Sequence, residues 1–495
     1  MKRLSISLCL LLLLTAASSC GDAGQPVPEK ADETQPAAES SVVTEPDERA
    51  LYADIAPAVE DFGGYNYRML SQNNLHNDKY ALFGAEAETG DTMNDAVYAR
   101  NLAVEEAYNV DVTFIEMPDT NESVKKLILA GEDYCDAQFT YYGRDLVGMI
   151  EAGYLYDLSE FSELTLTAPW WDERSNNTRL AGRLFTLAGD ISYFDELTEM
   201  CVSYNKMMYS ELDFENPYAL VTEGRWTLDK LQTMAAAAGK DLNGDGKMTY
   251  ADQWGLTTEI SAAWYFYLGS GESSVVVRND GYTLTFGDDK FYQVFDKVFD
   301  LMLASDYVFP VDNGKFADEI TTDNCYTQAS LAMQEDRVLF HTGCFVDTLA
   351  LRDMKTDFGI LPIPKFDEAQ AGYYNMVSYM SRPLSIPVTV TDTHRTALLT
   401  DALSYESMFT LTPKFYSEFL GEKILRDQES LEMVDILFDS MVFDIDFWFD
   451  ITGLPSKVSE MVRNGKYTLA SSAASLTKAA DKKISGILDA VKNLD

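Results

Sequence analysis

Residues 92–117, TMNDAVYARNLAVEEAYNVDVTFIEM, decide the fold class of this chain. Apolar side chains recur at helical spacing through most of this stretch, and its last eight residues, VDVTFIEM, have the character of a β-strand. The strand-like segment YNYRML precedes it at 65–70, and DAQFTYY at 136–142 follows a second helical pattern. Alternation of strands and helices predicts an α/β fold with a largely parallel sheet covered by helices.

The rest of the chain continues this mixed pattern. Its 495 residues exceed what one hydrophobic core usually supports, so two or more domains are expected. Further strands are predicted at RLFTLAGDIS (183–192), EMCVSYNK (199–206), RVLFHTG (337–343) and DFGILPIP (357–364). Thr227 is expected to cap a helix over 227–239. After about residue 395 helical patterns dominate, and the sequence has no internal repeat.

The N-terminus has the pattern of an export signal. Lys2 and Arg3 precede an apolar run that is too short to cross a membrane comfortably, which predicts a lipoprotein signal peptide over 1–19. Residues 17–20 resemble a bacterial lipobox, in which Cys20 is lipidated, although Ala17 stands where that pattern prefers Leu. Ordinary cleavage and free secretion is the alternative. The expected location is the extracellular face of the cell membrane, lipid-anchored, or the periplasm.

A flexible tether is predicted over 20–55. This segment is rich in Pro, Glu, Ala, Ser and Thr and has few large apolar residues, so it cannot bury a core. The whole chain has a formal net charge of −42. That charge argues against nucleic acid or anionic lipid as a partner.

Four cysteines follow the signal, at Cys135, Cys201, Cys325 and Cys344. Their scattered spacing lacks any C-x-x-C pair and argues against a zinc site. An exported chain can form disulfides, but the sequence does not decide which of these four cysteines pair or whether they stay as free thiols.

Residues 241–252, DLNGDGKMTYAD, follow the calcium loop of EF-hand type. Its metal ligands at positions 1, 3, 5, 7, 9 and 12 are predicted to be Asp241, Asn243, Asp245, the carbonyl of Lys247, Thr249 and Asp252. Gly246 stands where the loop turns sharply. Oxygen-only ligands suit a structural Ca²⁺ ion, and Asp252 replaces the usual Glu, which should weaken affinity. A polar turn without an ion is the alternative.

Motifs of catalysis are missing from the sequence. It has three histidines, no HExxH, no G-x-S-x-G and no glycine-rich phosphate or dinucleotide loop. Carboxylate pairs such as those in DELTE (195–199) are expected by chance among 80 acidic residues, so no glycosidase acid/base pair can be chosen. These observations favour a protein that is not an enzyme.

Clustered aromatic side chains are the more informative feature. Tyr141 follows a predicted strand, Trp170 and Trp171 are adjacent, and Trp264 and Trp448 lie in AAWYFY and DFWFD. Aromatic faces beside carboxylates and amides suit sugars, since the rings stack and the polar groups bond hydroxyls. Core packing is the alternative for each of these aromatics.

Several stretches, taken in order, resemble the extracellular solute-binding proteins of bacterial ABC sugar transporters. They are GEDYCDAQFTYYGRDLVGMIEAGYLYDLSEF (131–161), APWWDE (168–173), SYNK (203–206), EGRWTLDKL (223–231), DQWGL (252–256) and MKTDFGILPIPKFDE (354–368). The resemblance covers roughly residues 60–490. It implies a two-lobed fold like the type II periplasmic binding proteins, with a hinge and a ligand cleft between the lobes. The implied lobes are 56–162 with 366–418, and 163–365 with 419–495.

The same resemblance implies a function and a site. A carbohydrate would bind in the cleft without chemistry and be delivered to ABC permease subunits by what we expect to be a monomer. By pattern, the implied ligand-binding residues are Tyr141, Trp170, Trp171, Asp190 and Asn205, to which the aromatics Trp264 and Trp448 are added. Trp226 is expected to pack a helix start instead.

Three other functions remain open from the sequence. A secreted carbohydrate-cleaving enzyme would use a carboxylate pair that the sequence does not single out. A surface adhesion or scaffold lipoprotein would share the tether and the acidity. A peptide or another solute could replace the sugar as ligand.

Overall fold

The computed structural model describes residues 48–72, 83–117, 120–139, 145–279, 281–315, 317–322, 324–423 and 427–494. The predicted signal peptide, Cys20, the tether up to residue 47 and Tyr141 lie outside these residues. The chain divides into two compact units, Met1–Ala56 and Pro57–Asp495. In the first, the described residues include a 3₁₀ helix, Glu48–Tyr52, with no buried side chain.

The second unit contains all the strands of the described chain. In chain order they are β1 (Tyr65–Gln72), β2 (Val110–Met117), β3 (Ala137–Phe139), β4 (Met200–Asn205), β5 (Trp254–Thr258), β6 (Val275–Arg278), β7 (Gly281–Leu284), β8 (Val308–Pro310), β9 (Val338–Cys344), β10 (Phe358–Leu361), β11 (Asn375–Met376), β12 (Leu384–Ser385) and β13 (Met441–Val442).

The α-helices of the described chain cover both sheets. They are α1 (Thr92–Tyr108), α2 (Thr120–Ala130), α3 (Leu146–Glu151), α4 (Phe194–Leu197), α5 (Lys206–Glu211), α6 (Pro217–Thr222), α7 (Leu228–Ala238), α8 (Ala262–Gly269), α9 (Asp289–Met302), α10 (Cys325–Gln334), α11 (Thr348–Leu351), α12 (Thr393–Lys414), α13 (Leu420–Lys423), α14 (Gln428–Asp439), α15 (Ile445–Phe449), α16 (Leu454–Arg463) and α17 (Leu469–Lys492).

The first sheet has the order β12-β3-β1-β2. Strands β1, β2 and β3 are parallel, and β12 joins β3 antiparallel from much later in the chain. Helix α1 begins at the cap Asp91, whose carboxylate accepts from two backbone N–H groups of the first turn. It packs against α12, so the first sheet and its helices form one lobe.

The second sheet has the order β10-β4-β9-β5-β8. Strand β5 is parallel to β8 and β9, whereas β4 is antiparallel to both β9 and β10. The sheet is therefore mixed rather than largely parallel. This sheet forms the second lobe. Trp226 is buried there and lies at the start of α7, as predicted. Its indole N–H donates to the carbonyl of Pro362 at 2.8 Å.

Two segments that cross between the sheets run side by side, at 187–199 and 377–385. Leu187 pairs with Leu384, and Glu199 pairs with Val377. The buried guanidinium of Arg100 on α1 donates to the carbonyl of Ile191 at 2.8 Å and thereby fixes the first crossing segment to the first lobe. The two-lobed α/β architecture expected from the resemblance is confirmed, while the lobe boundaries stay predictions.

One strand prediction is wrong. RLFTLAGDIS (183–192) forms no regular strand and makes only isolated bridges, such as Leu187 to Leu384 and Gly189 to Trp171. The apolar residues there are buried because the segment crosses from one sheet to the other. A buried segment without strand hydrogen bonds can have the same run of apolar residues as a buried β-strand, which explains the wrong prediction.

Among the described helices, none has both the length and the apolar character needed to cross a membrane.

Candidate functional site

The carboxyl edge of the second sheet brings together the polar groups that we assign to the site. Parallel strands β5, β8 and β9 all end at this edge, and antiparallel β4 begins there, with Met200 opposite Cys344. In open α/β sheets, ligands bind in the crevice outside the carboxyl ends of the strands. The side chains that follow these strand ends are therefore the first candidates for ligand contact.

Four carboxylates lie along this edge on neighbouring strands, and we name them the acidic row. Glu199 precedes β4, Asp347 follows β9, Glu259 follows β5, and Asp312 follows β8. Neighbouring strands are about 4.8 Å apart, so the row spans on the order of 14 Å. Such a length matches a small oligomeric ligand better than a single ion.

Hydrogen bonds hold three members of the row in place. Asp312 accepts from the backbone N–H of Ile260 at 2.8 Å, which joins the ends of β8 and β5. Asp347 accepts from the N–H of Cys344 at 2.9 Å. Glu259 accepts from the Tyr265 hydroxyl. These bonds fix the positions of the three carboxylates.

Glu199 differs from the other members of the row because it is fully buried, with 0% of its surface exposed. Neither of its carboxylate oxygens accepts a hydrogen bond from the described part of the protein. One oxygen of Glu196, one turn earlier, is in the same state. Buried polar atoms normally have partners, so these oxygens are candidates for bonds to a bound molecule.

Like charges and burial shift the pKa values along the row. Burial, with the charges of Asp312 and Asp347 adding to it, raises the pKa of Glu259 to about 7. Burial also raises the pKa of Asp312. The pKa of Glu199 lies well above its usual range, because of burial and then the charge of Glu196, against which the charge of Arg174 acts. Perturbed carboxylates in a cleft are frequent at functional sites.

Tyrosines surround Glu259. Tyr326, in the first turn of α10, is 47% exposed, and the charges of Glu259 and Asp312 act on its hydroxyl. Tyr379, from the second crossing segment, stacks on Phe447 with ring centroids 5.1 Å apart. An exposed ring beside fixed carboxylates provides a stacking face next to hydrogen-bond acceptors.

A small cleft lies against the first crossing segment. It is partly open to solvent and is lined in part by Phe139, Ser192, Asp195, Ser381 and Arg382. Phe139 ends β3 of the first sheet, and Asp195 lies in α4 directly before Glu196. The cleft therefore touches the first lobe and both crossing segments.

The sequence-predicted tryptophans are buried and make internal bonds. Trp170 and Trp171 both donate their indole N–H to Oδ1 of Asp401, at 2.9 and 2.6 Å. Asp190 is buried, and its backbone N–H donates to the carbonyl of Trp170. The structure thus brings Trp170, Trp171 and Asp190 together in a packed cluster.

The other predicted ligand residues lie elsewhere. Asn205 caps α5 and donates to Asp336, Trp264 donates to Asp444 at 3.1 Å, and Trp448 donates to the carbonyl of Val377 at 2.8 Å. All three are buried. Ligand contact by any of these residues stays a prediction.

Sequence reasoning missed Glu259, Asp312, Asp347, Tyr326 and Tyr379. The available signal was position: two of the carboxylates come within two residues of a strand end. Without the strand order, nothing in the sequence distinguishes them from the many other acidic residues.

Hydrogen bonds from backbone N–H groups to side chains of the same segment hold the predicted calcium loop in its turn. Asp241 accepts from the N–H groups of Gly244 and Gly246, each at 2.7 Å, and Asp245 accepts from that of Lys247 at 2.8 Å. Gly246 has a φ of 78°, which its lack of a Cβ permits. The oxygens of Asp241, Asn243 and Asp245 keep lone pairs, and their hard-donor chemistry fits Ca²⁺.

Asp252 has a different role from the other predicted ligands. Its Oδ1 accepts from the N–H of Leu242 at 2.9 Å, and its Oδ2 accepts from both the N–H and the hydroxyl of Thr249. These bonds lower its pKa against the opposing effect of burial. Within the described residues no three His, Cys, Asp or Glu side chains are grouped to hold a metal. The three hydrogen bonds that Asp252 accepts close the loop. Metal ligation by Asp252 stays a prediction.

Comparison with known proteins finds solved structures that share the fold of this chain. No family model and no curated protein matches the chain. The maltose/maltodextrin-binding domain MalE of Bdellovibrio bacteriovorus, bound to maltotriose, superposes with a TM-score of 0.53 at 14% identity, over 85% of this chain and all of that one. The chain has a solute-binding-protein fold. An ABC substrate-binding protein of Listeria monocytogenes in complex with cycloalternan gives 0.51 at 13% identity, over 86% and 98% of the two chains.

A third solute-binding protein, from Thermotoga lettingae and bound with alpha-D-tagatose, gives a TM-score of 0.50 at 13% identity, over 86% of this chain and 100% of that one. All three solved neighbours are described as binding proteins rather than enzymes. At this level of identity the likeness is one of fold, and the ligand must be argued from the residues of this chain.

Proposed function

We propose that this protein is the substrate-binding component of an ABC importer and captures a sugar or oligosaccharide between its two lobes. The observation that carries the proposal is the acidic row beside the exposed ring of Tyr326, at the carboxyl edge where this fold binds ligands. The three solved neighbours, which hold maltotriose, cycloalternan and tagatose, support a carbohydrate as ligand.

The physical mechanism is noncovalent capture. The ring of Tyr326 stacks on the C–H face of a sugar, while Glu259 and Asp312 accept hydrogen bonds from its hydroxyls. Closure of the lobes about the crossing segments then shifts the population toward the bound form that a permease recognises. No bond of the ligand is broken, so incubation with oligosaccharides should release no reducing ends.

Replacing Tyr326 with alanine tests the stacking role. We expect sugar affinity to fall by about 10-fold or more, since truncation of a central aromatic anchor typically costs over 1 kcal/mol. Tyr326→Phe should retain most of the affinity because the ring face remains. Isothermal titration calorimetry with maltotriose and a panel of other oligosaccharides measures the effect.

Tyr307→Ala is the matched control. Tyr307 directly precedes β8, at the opposite end of the strand from Asp312. Equal losses of affinity in Tyr326→Ala and Tyr307→Ala, with both variants folded, would contradict a stacking role for Tyr326.

We also infer the cellular setting. Export, lipidation of Cys20 and a tether would place a monomer at the outer face of the cell membrane, beside its permease. The signal pattern and the acidic, tether-like segment support this inference. Labelling with a radioactive fatty acid, lost in Cys20→Ser, tests the anchor.

We further propose that the 241–252 loop binds Ca²⁺ through Asp241, Asn243, Asp245, Thr249 and the carbonyl of Lys247. Calcium at 100 times its Kd should raise the free energy of unfolding by about 2.7 kcal/mol. Asp245→Ala should remove this calcium dependence. Urea denaturation in calcium and in chelator measures it.

Asp252→Ala separates loop closure from metal binding. Because Asp252 accepts three hydrogen bonds within the loop, this variant should lose stability in chelator as well as in calcium. A calcium response unchanged in Asp245→Ala would contradict the metal site.

A further inference from the structure

The connection between β8 and α10 carries two residues of the proposed sugar site. Asp312 lies near its start, and Tyr326 lies in the first turn of α10. We name residues 312–327 the Tyr326 connection, and among those that the structure describes, none has a fully buried side chain. Its 3₁₀ helix, Ala317–Glu319, is included in this observation. A segment with so few buried contacts is held mainly by individual hydrogen bonds, which open at low cost.

Tyr250 holds the Tyr326 connection at two points. Its backbone N–H donates to the carboxylate of Glu319 at 2.8 Å, and its hydroxyl donates to the backbone carbonyl of Gln328, two residues after Tyr326. The side-chain oxygen of Gln328 in turn accepts from the N–H of Thr321 at 2.9 Å. The 3₁₀ helix and the start of α10 are therefore both fixed to one residue that lies outside the connection.

Tyr250 belongs to the 241–252 loop and also packs against the second sheet. The edge of one ring faces the other where Tyr250 meets Phe309 of β8, with ring centroids 6.2 Å apart. The preceding residue, Thr249, donates to Asp252 through both its N–H and its hydroxyl. The conformation of the loop therefore decides where the N–H and the hydroxyl of Tyr250 point.

We propose that Tyr250 is a positioning residue of the sugar site, which holds the Tyr326 connection and makes sugar affinity depend on the conformation of the 241–252 loop. This inference rests on the proposed function and adds a route of regulation to the same site. A connection that is already held in place loses less conformational freedom when a sugar binds, so the sugar binds more tightly. Tyr250 acts only through the residues that it holds.

Calorimetric titration of the full chain, purified in mild detergent, with maltotriose and the oligosaccharide panel measures the effect. All titrations are made in chelator, so that the result does not depend on calcium. The double variant Tyr250→Phe/Glu319→Ala removes both bonds and keeps an aromatic ring against Phe309. We expect it to lower sugar affinity about 5-fold or more, the lower end of the coupling between linked sites. Tyr250→Phe alone should lower the affinity about 3-fold.

Tyr209→Phe is the matched control. The hydroxyl of Tyr209 also donates to a backbone carbonyl, that of Glu215, at 2.6 Å, and its described hydrogen bonds reach neither the loop nor the Tyr326 connection. This variant should lose one comparable bond and keep the sugar affinity of the parent chain. Equal losses of affinity in Tyr209→Phe and Tyr250→Phe would overturn the positioning role, because a general loss of stability would then explain both.

Asp252→Ala tests the dependence on the loop. It should lower sugar affinity in the parent chain and cause no further loss in Tyr250→Phe/Glu319→Ala, because the route is already interrupted there. Thr249→Val, which removes only the hydroxyl bond to Asp252, takes its place if Asp252→Ala does not fold. Additive losses would overturn the assignment of the route to Tyr250.

Amide hydrogen exchange provides a measurement that needs no sugar. Exchange at residues 317–322 should be faster in Tyr250→Phe/Glu319→Ala than in the parent chain or in Tyr209→Phe. Unchanged exchange would overturn the claim that Tyr250 holds the connection. Equal sugar affinity in all variants would overturn this inference and leave sugar capture standing. If the parent chain binds no sugar, the proposed function fails, and the link from Tyr250 to sugar affinity fails with it.

Discussion

Replacing Asp401 with alanine should lower the free energy of unfolding by about 3–5 kcal/mol. One oxygen of Asp401 accepts from the indoles of Trp170 and Trp171 and, at 3.3 Å, from the N–H of Thr165. Each donor left unsatisfied in the interior costs about 1–3 kcal/mol. Urea denaturation followed by tryptophan fluorescence measures the loss.

Asp401→Asn is the matched variant. Its carbonyl oxygen can still accept from both indoles, and the second carboxylate oxygen of Asp401 has no hydrogen-bond partner in the described structure. Burial raises the pKa of Asp401, so removing the charge carries little penalty. We expect a smaller loss than in the alanine variant, because both indole bonds are kept, while the new amide NH₂ group has no described acceptor and costs about 1–3 kcal/mol. Equal losses in the alanine and asparagine variants would show that the two indole bonds do not stabilise the fold.

The second large effect is a decline of stability as pH rises through the acidic range. Asp444 and Asp446 are buried, Asp446 with 0% of its surface exposed. Burial raises the pKa of Asp444 to about 6, and burial together with the charge of Asp444 raises that of Asp446 to about 7. An unfolded aspartate has a pKa of about 3.9.

The sign follows from these values. Because the folded chain holds these protons more tightly, their stabilising contribution is complete below about pH 4 and is lost as pH rises through 6 and 7. One such group contributes about 3 kcal/mol over this window. We expect the free energy of unfolding to fall more steeply between pH 4 and 7 than in the variant Asp444→Asn/Asp446→Asn.

The double variant isolates the pair from other titrating groups. Asparagine at 446 can still accept from the N–H of Thr452, which is 2.8 Å from Asp446 in the structure. Denaturation curves of both proteins at half-unit pH steps give the difference in slope. Parallel pH profiles would contradict a raised pKa for this pair.

The sequence predicts most of the local structure but little of the site. Strands at 110–117, 200–205, 338–344 and 358–361 lie where the sequence pattern predicts them, since strand period and β-branched content are local properties. The antiparallel direction of β4 depends on the strands that pair with it, and the irregular path of 183–192 depends on its position between the two sheets. A local sequence pattern reports neither.

The tryptophan and carboxylate positions illustrate the same limit. Trp170 and Trp171 attract notice as an adjacent pair, yet Asp401, some 230 residues later, accepts both of their indole bonds. Glu259 and Asp312 are unremarkable in the sequence and become neighbours only because β5 and β8 pair in parallel. A ligand site assembled from strand ends is a property of strand order, which requires long-range contacts.

The late arrival of β12 and α12 has a consequence for biosynthesis. The first lobe lacks its edge strand and the helix that packs on α1 until residue 414 has left the ribosome. At about 5–20 residues per second, roughly 15–55 s pass between translation of β3 and the end of α12. During this interval the sheet of the first lobe lacks its edge strand and α1 lacks its packing partner, so the N-terminal part of this lobe stays incomplete long after its own translation.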